Sequence, residues 1–143
     1  MPVCAILGAQ WGDEGKGKVV DHLAERASIV ARFSGGNNAG HTVKTGAGTF
    51  AFHLIPCGVL WPNAMGVIGN GVVVDPDALL DEVDDLTDRG IALEGRLLIS
   101  DRSHLVMPYH TVLDELADLA RGKEAIGTTG KGIGPAYTDK AAR

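Results

Sequence analysis

The glycine-rich stretch GAQWGDEGKGKVVDHLAERA, residues 8–27, constrains the fold of this chain more than any other feature. It nearly matches the phosphate-loop pattern G-x-x-x-x-G-K-[ST], because Gly12 is followed by four residues and then by Gly17 and Lys18. Glycines free backbone N–H groups to face phosphate oxygens, and a following helix N-terminus attracts the same anions. The last position of the pattern, however, carries Val19, which has no hydroxyl to bind magnesium.

The residues on both sides of this stretch predict the strand, loop and helix that a phosphate loop requires. The apolar run from Val3 to Leu7 is typical of a short buried strand. With both flanks in place, an ordinary glycine-rich turn is the weaker interpretation of the loop. After the glycines, apolar residues recur at helical spacing and predict a helix: Val19, Val20, Leu23 and Ala27.

Two carboxylates, Asp13 and Glu14, lie inside the loop, where phosphate oxygens would crowd them. Because Val19 cannot hold the metal, a magnesium ligand must come from elsewhere, and Asp13 is the candidate. Its carboxylate could bind magnesium, act as a base, or do both. Lys16 and Lys18 supply the positive charge that bound phosphates would need.

Two further glycine-rich motifs follow along the chain. In the first, Gly35 to Thr42, His41 could be a general acid or a phosphate ligand, although residue type alone favours a histidine that caps a surface turn. In the same motif, Asn38 offers both a hydrogen-bond donor and an acceptor. The second motif, Gly127 to Pro135, fits a second phosphate cradle and a flexible loop about equally. Two anion-binding loops would indicate two phosphorylated ligands.

Short apolar runs alternate with amphipathic segments, which predicts an α/β domain of the phosphate-loop type, with a mainly parallel central sheet and flanking helices. Ligands of such sheets bind at the carboxyl ends of the strands, where the glycine loops would gather. We expect no internal boundary in residues 1–143, and an incomplete fold, since no closing element follows the last loop. The predicted strands after the first are Ile29–Phe33, Phe50–Ile55, Val67–Ile68, Val72–Val74 and Arg96–Ser100.

Two more helices are predicted, and the remaining glycine-rich segments are predicted as loops. Asp75 and Pro76 suit the N-cap and the first position of one helix. The other helix runs from Pro108 to Ala120, and residues 34–49 and 126–143 are loops. The apolar faces are expected to be Leu79, Leu80, Val83 and Leu86 in the first of these helices and Val112, Leu113, Leu116 and Leu119 in the second.

Composition excludes some classes of partner. The net charge of −5 and the sequence pI of about 5.4 argue against nucleic acid as the main partner. No apolar run approaches the roughly 20 residues of a membrane span, and the N-terminus lacks the basic start of a signal peptide. Cys4 and Cys57 have no metal-binding spacing and lie in apolar surroundings, so we expect buried free thiols in a reducing cytosol.

Three segments together resemble the adenylosuccinate synthetase family: WGDEGKGKVVD (11–21), SGGNNAGHTV (34–43) and GTTGKGIGPAYTDKAAR (127–143). HLIPCGVL (53–60) and IGNGVVVDP (68–76) are also similar to the family, so the resemblance covers essentially the whole chain in order. It implies a cytoplasmic, homodimeric ligase on the AMP branch of purine biosynthesis. Such an enzyme joins IMP and L-aspartate to adenylosuccinate, with GTP as phosphoryl donor, Mg²⁺ as cofactor and 6-phosphoryl-IMP as intermediate.

The resemblance also implies roles for individual residues. Asp13 resembles the catalytic base that removes the proton from N1 of IMP, and His41 the general acid at the GTP phosphates. Asp13 and the backbone carbonyl of Gly40 would bind magnesium. Arg143 would reach the IMP site of the other subunit. GTP contacts carry over to Gly12, Asp13, Glu14, Gly15, Lys16, Gly17, Lys18, Gly40, His41 and Thr42, and IMP contacts to Asp13, Glu14, Gly15, Lys16, Asn38, Ala39, Gly40, His41, Thr129 and Arg143.

The chain departs from the family pattern at single positions and in length. Ser34 stands where glutamine is usual, and Cys57 where serine is common. Lys131 replaces a common arginine, which keeps the charge but loses bidentate geometry, so the handling of aspartate or phosphate there could differ. Family members run well beyond residue 143, so the guanine and aspartate sites would lie outside this chain. We therefore expect the chain alone not to catalyse turnover.

Two other interpretations remain open at this stage. A phosphate-loop GTPase or kinase without IMP chemistry would be expected to carry a hydroxyl at position 19, where this chain has valine. A non-catalytic nucleotide-binding fragment would bind ligands without turning them over.

Overall fold

The computed structural model describes residues 2–9, 15–46, 48–124 and 127–142. Strands and helices are interspersed along these residues, as in an α/β fold. The strands are β1 (Ile29–Arg32), β2 (His41–Thr45), β3 (Gly48–Phe52), β4 (Met65–Ile68), β5 (Val73–Val74), β6 (Leu97–Ile99) and β7 (His104–Leu105). The α-helices are α1 (Lys16–Ala24), α2 (Pro76–Asp88), α3 (Pro108–Arg121) and α4 (Ile133–Ala142), and 3₁₀ turns span Cys57–Leu60 and Gly122–Glu124.

The central sheet is parallel, with the strand order β1–β4–β6. Ile29 of β1 is paired with Met65 of β4, and Gly66 of β4 with Leu97 of β6. A second parallel pair joins β5 to β7, while β2 and β3 form an antiparallel hairpin. The mainly parallel sheet with flanking helices that the sequence predicts is thus confirmed.

The main hydrophobic core lies where the β2–β3 hairpin, the 3₁₀ turn after it and α2 meet beside β4. Phe50 and Phe52 of the hairpin are almost fully buried, as are Leu54 and Ile55 immediately after it. Because the hairpin packs into this core, the segments at its two ends are held in place. The other buried members of the core are Val43, Cys57, Val59, Ile68, Val72, Val74, Leu79, Leu86 and Leu93.

Helix α2 begins as the sequence predicts. The Asp75 side chain accepts a hydrogen bond from Ala78 N at 3.2 Å, and Pro76 occupies the first helical position. Leu79 and Leu86 are buried, but Leu80 is 61% exposed, so its prediction as a core residue was wrong. Leu80 lies about 100° further round the helix than Leu79, which turns it away from the core.

Three local predictions near the glycine motifs were wrong. The run Val3 to Leu7 forms no strand, and Val3 and Leu7 are 95% and 71% exposed. An apolar run indicates burial but does not supply the neighbouring strand whose hydrogen bonds it needs. Residues 34–49 contain most of the β2–β3 hairpin, where Val43 pairs with Phe50. Residues 126–143, predicted as a loop because they are rich in glycine, contain helix α4.

Helix α3 has the predicted span but buries the opposite face. His110 and Asp114 are its buried residues, because that side of the helix contacts α4 and the loop before it. The four α3 residues predicted as inward are instead exposed: Val112, Leu113, Leu116 and Leu119.

The two cysteines differ in burial. Cys4 is exposed, contrary to prediction, whereas Cys57 is buried. In the described part of the chain, no helix combines the length and apolar character needed to cross a bilayer.

Candidate functional site

A cavity of about 690 Å³ opens at the carboxyl end of β1, beside the start of α1 and the segment that leads into β2. Arg32, Phe33 and Ser34 line it where β1 ends. This is where ligands bind in parallel α/β sheets. The site residues expected from the sequence that line the cavity are Gly15, Lys16, Gly17, Lys18, Ala39, Gly40, His41 and Thr42.

Two of the expected site residues that the structure describes do not line this cavity. Asn38 and Thr129 are exposed and do not line the cavity. The expectations for the other four fall outside the described residues: Gly12, Asp13, Glu14 and Arg143.

The start of α1 is arranged as an anion-binding terminus. Gly15 is its N-cap, with φ 81° and ψ 21°, a left-handed conformation that glycine adopts without steric cost. Among the described residues, no side chain caps the first turn of α1. The N-terminus of a helix attracts anions, and Lys16 and Lys18 add positive charge in the same cavity wall.

The first two glycine motifs meet at the ring of His41. A Cβ atom at Gly17 would lie 2.7 Å from His41 Cγ, so only glycine permits this approach. On its other side, His41 stacks on Phe52, with ring centroids 5.6 Å apart and an interplanar angle of 27°. The candidate acid is thus held between the phosphate loop and the core of the hairpin.

The surroundings of His41 favour a neutral imidazole. Burial lowers the pKa of His41, the nearby charges of Arg32 and His53 lower it further, and the carboxylate of Asp21 raises it. Within the described residues, His41 Nε2 and Asp21 Oδ1 are buried and have no hydrogen-bond partner. Because buried polar atoms are rarely left unpaired, these two atoms mark a place where a ligand or solvent hydrogen bond is expected.

Arg32 is a site residue that the sequence analysis missed. Its guanidinium donates to Gly36 O at 2.7 Å, to Ser34 O at 3.4 Å and to His53 O. Burial lowers the pKa of Arg32, while Glu82 and Tyr137 raise it. The available signal was an arginine inside the otherwise apolar run IVARF (29–33), since a charged residue in a strand that is expected to be buried usually has a specific partner.

The third glycine motif is joined to the second. Tyr137 of α4 accepts a hydrogen bond from Gly35 N at 2.7 Å and donates one to Gly71 O at 2.7 Å. Ile133 packs so closely on Gly36 that a Cβ atom there would lie 2.5 Å from Ile133 Cδ1. These contacts bring the start of α4 against the loop that carries Asn38.

The three glycine motifs that the sequence singles out therefore lie next to one another in the structure. Comparison with known proteins shows which family has these motifs. The family model for adenylosuccinate synthetase matches residues 5–143. The chain belongs to the adenylosuccinate synthetase family.

Curated adenylosuccinate synthetases are similar to this chain over its whole length. The enzyme from Clostridium novyi strain NT is 58% identical over 144 residues, which cover 100% of this chain and 34% of the relative. The adenylosuccinate synthetase from Clostridium botulinum strain Langeland is also 58% identical, with the same coverage. The chain thus spans about a third of the length of the curated relatives it matches.

Solved structures agree with this assignment. The fully ligated adenylosuccinate synthetase from Plasmodium falciparum superposes with a TM-score of 0.86 and 45% identity, covering 96% of this chain and 32% of that one. The succinoaminodeoxyadenylate synthetase of cyanophage S-2L, bound to dGMP and dATP, gives a TM-score of 0.69 at 28% identity. That match covers 94% of this chain and 36% of that one.

The two donor groups expected to hold magnesium are both oxygens, the ligand type that this ion prefers. Gly40 is exposed and lies in the cavity wall, where its backbone carbonyl is a hard oxygen ligand. Together with the Asp13 carboxylate, it would form the all-oxygen donor set that magnesium prefers.

A separate cluster, His104, His110 and Asp139, has its possible ligand atoms within 4.8 Å of one another. His110 Nδ1, however, accepts the N–H of Met107 at 2.9 Å, so the ring proton is on Nε2, which lies 3.1 Å from Asp139 Oδ2. A histidine that binds a metal through Nε2 normally carries its ring proton on Nδ1, but Nδ1 of His110 is already a hydrogen-bond acceptor. The arrangement therefore fits hydrogen bonding between α3 and α4 better than a metal centre. Asp114, one turn further along α3, accepts Gly132 N at 3.0 Å and fixes the loop before α4.

Proposed function

We propose that this chain supplies the phosphate- and IMP-binding part of an adenylosuccinate synthetase, the ligase that joins IMP and L-aspartate at the expense of GTP. The observation that carries the proposal is the contact of His41 with Gly17, which places the histidine motif against the phosphate loop in one cavity. A GTPase without IMP chemistry would have no need of a histidine in this position. A cytoplasmic location is proposed on the same family basis.

In the proposed reaction, Asp13 removes the proton from N1 of IMP, and O6 attacks the γ-phosphate of GTP as GDP departs. The product is 6-phosphoryl-IMP, and the amine of aspartate then displaces phosphate at C6. A carboxylate inside a phosphate loop is thereby explained, because the substrate must lose a proton while phosphoryl transfer proceeds. Val19 in place of a hydroxyl residue is consistent with a metal ligand supplied by Asp13 instead.

The described residues of the cavity would bind and orient the phosphates. Lys16 and Lys18, with the N–H groups at the start of α1, would neutralise the charge that develops during transfer. His41 would act as the general acid at the GTP phosphates. Magnesium, when bound by Asp13 and Gly40, would offset phosphate charge as a Lewis acid.

The IMP contacts are proposed for residues around the junction of the second and third motifs. Asn38 belongs to the loop that Tyr137 and Ile133 contact, and Thr129 lies in the segment just before α4. Both side chains are exposed, which leaves them free to meet a ligand. Arg143 is proposed to complete the IMP site of the other subunit in a homodimer.

The activity of the isolated chain is a separate matter. Because it spans about a third of its relatives, we propose that it binds nucleotides without catalysing the ligation. A coupled assay of phosphate release that depends on GTP, IMP and aspartate tests this point. Turnover by the 143-residue chain at the rate of a full-length relative would overturn it.

Titration calorimetry with IMP and GTP separately tests the function itself. Binding of both nucleotides to the chain is expected, whereas strong GTP binding without any IMP binding would favour a GTPase.

The role of Asp13 needs a chain of the relatives' length. There, Asp13→Ala should lower phosphate release at least about 100-fold, because a positioned base contributes that much. Asp81→Asn, which removes an exposed charge on α2, is the matched control and should change little. Near-parental turnover of Asp13→Ala would show that the assigned base is wrong.

A further inference from the structure

A buried carboxylate of α2 collects three consecutive backbone N–H groups just after the hairpin. Glu82 Oε1 accepts from His53 N at 3.0 Å and from Ile55 N at 3.2 Å, and Oε2 accepts from Leu54 N at 2.9 Å. Glu82 is only 7% exposed. A buried carboxylate is costly unless it is hydrogen-bonded, and three successive N–H groups form a concavity suited to an anion.

Arg32 holds the same point of the backbone from the other side. Its guanidinium donates to the carbonyl of His53, whose N–H goes to Glu82, so residue 53 is bound at both of its backbone polar groups. The same guanidinium also binds Gly36 O, in the loop before β2. The carboxylate of Glu82 and the guanidinium of Arg32 therefore hold the end of β3 together, and Arg32 also binds the second glycine motif.

Residue 53 is one residue from the partner of His41. Phe52, the last residue of β3, pairs with His41 in the hairpin register and stacks on its ring. The His53 ring lies against Gly40, where a Cβ atom would come within 2.9 Å of His53 Nε2. Any shift of the backbone at residue 53 would therefore move the surfaces that support Gly40 and His41.

We propose that Glu82 is a positioning residue for the phosphate site, acting through the backbone of His53 to Ile55 on His41 and Gly40. This inference rests on the proposed function, because it concerns how that site is held. Glu82 itself is not among the residues that line the cavity. Its effect must therefore pass through the end of the hairpin, with Arg32 as the opposing anchor.

The test compares four forms of the 143-residue chain: wild type, Glu82→Gln, Asp81→Asn and Leu86→Ala. Glu82→Gln keeps the size but turns an NH₂ group toward at least one N–H donor. Asp81→Asn removes the same charge from the exposed face of α2. Leu86→Ala destabilises the same helix from its fully buried core position without touching the hairpin bonds. Titration of each with Mg–GTP gives the affinity, and urea unfolding gives the stability.

We expect Glu82→Gln to weaken Mg–GTP binding by about 10-fold to 100-fold, as loss of a supporting shell does at other sites. Amide hydrogen exchange at His53, Leu54, His41 and Thr42 should accelerate in the same variant. Asp81→Asn should match wild type, and Leu86→Ala should lose stability but keep its affinity within about twofold. Glu82→Asp, which retains the charge on a shorter arm, provides the same comparison if Glu82→Gln does not fold.

Two results would overturn the inference while leaving the proposed function intact. One is wild-type affinity in a folded Glu82 variant, and the other is an equal loss of affinity in Leu86→Ala, which would make the effect one of general stability. Failure of the wild-type chain to bind either Mg–GTP or IMP would instead overturn the proposed function, and this inference with it.

Discussion

The imidazole of His41 lies directly against the Cα atom of Gly17, so that a methyl group at position 17 would come within 2.7 Å of His41 Cγ and 2.8 Å of its Cβ. Gly17 belongs to the first turn of α1, and His41 opens β2. The phosphate loop and the histidine motif therefore pack together so closely that a side chain at position 17 would collide with His41. The glycine that the phosphate-loop pattern requires therefore has a second role here, because it leaves the space that the His41 ring occupies.

Gly17→Ala should therefore displace His41 or the start of α1. We expect Mg–GTP affinity to fall at least about tenfold, since small misplacements of a binding group have large effects. Titration calorimetry measures this loss. Gly134→Ala is the control, because a Cβ atom at Gly134 would meet nothing within 4 Å beyond its chain neighbours, and its Mg–GTP affinity should match that of the wild type. Unchanged affinity in Gly17→Ala would contradict the role of this contact.

Tyr137→Phe should loosen the junction between the second and third glycine motifs. The change leaves Gly35 N–H and Gly71 O without the hydroxyl that joins them, and we expect a loss of about 1–3 kcal/mol in the free energy of unfolding. Urea unfolding measures it. Tyr109→Phe removes an exposed hydroxyl that binds Asp139, and should have a smaller effect. Equal effects of the two substitutions would contradict the special role of Tyr137.

The pKa of His41 should lie below the ordinary value of 6.5, chiefly because of burial. The folded state then resists protonation, so the contribution of His41 to stability is full above pH 6.5 and is lost as the pH falls below that value. A nuclear magnetic resonance titration of the ring protons gives the midpoint. Asp21→Asn should lower it further, since Asp21 raises the pKa, and Asp81→Asn should not. A midpoint at or above 6.5 would contradict the prediction.

Cys57 should be an inert thiol in the folded chain. Burial raises its pKa from 9.0 to about 12, so the folded state holds the proton where the unfolded state releases it. This contribution to stability is full below about pH 9 and is lost as the pH rises toward 12. At pH 8, Ellman's reagent should label Cys4 quickly and Cys57 only after guanidinium unfolding. Rapid labelling of the one thiol of folded Cys4→Ser, or of both thiols of the folded wild type, would show that Cys57 is accessible.

Local signals predicted those elements whose determinants are adjacent in sequence. Asp75 and Pro76 mark the start of α2 because the cap and the fixed proline φ act within one turn. The apolar runs that became β1, β4 and β6 were found for a similar reason, since β-branched residues favour strands locally. The family motifs likewise identified eight residues of the cavity wall.

Elements that depend on distant partners were not predictable in this way. Strand β2 of the hairpin was missed because it has a single buried residue, Val43, which is too little to show an alternating pattern, whereas β3 overlaps the predicted strand Phe50–Ile55. The buried face of α3 was assigned wrongly because its neighbour is α4, which uses His110 and Asp114 rather than the apolar stripe.

The sequence by itself determined the family, the α/β class and the three glycine motifs, because these reside in residue identity and short spacing. Only the tertiary structure decided that Arg32 and Glu82 meet at residue 53, which is 21 residues from the first and 29 from the second. It also decided that His41 rests on Gly17. Such contacts are set by the packing of separate elements, since a single strand or helix carries no record of the atoms that will lie against it.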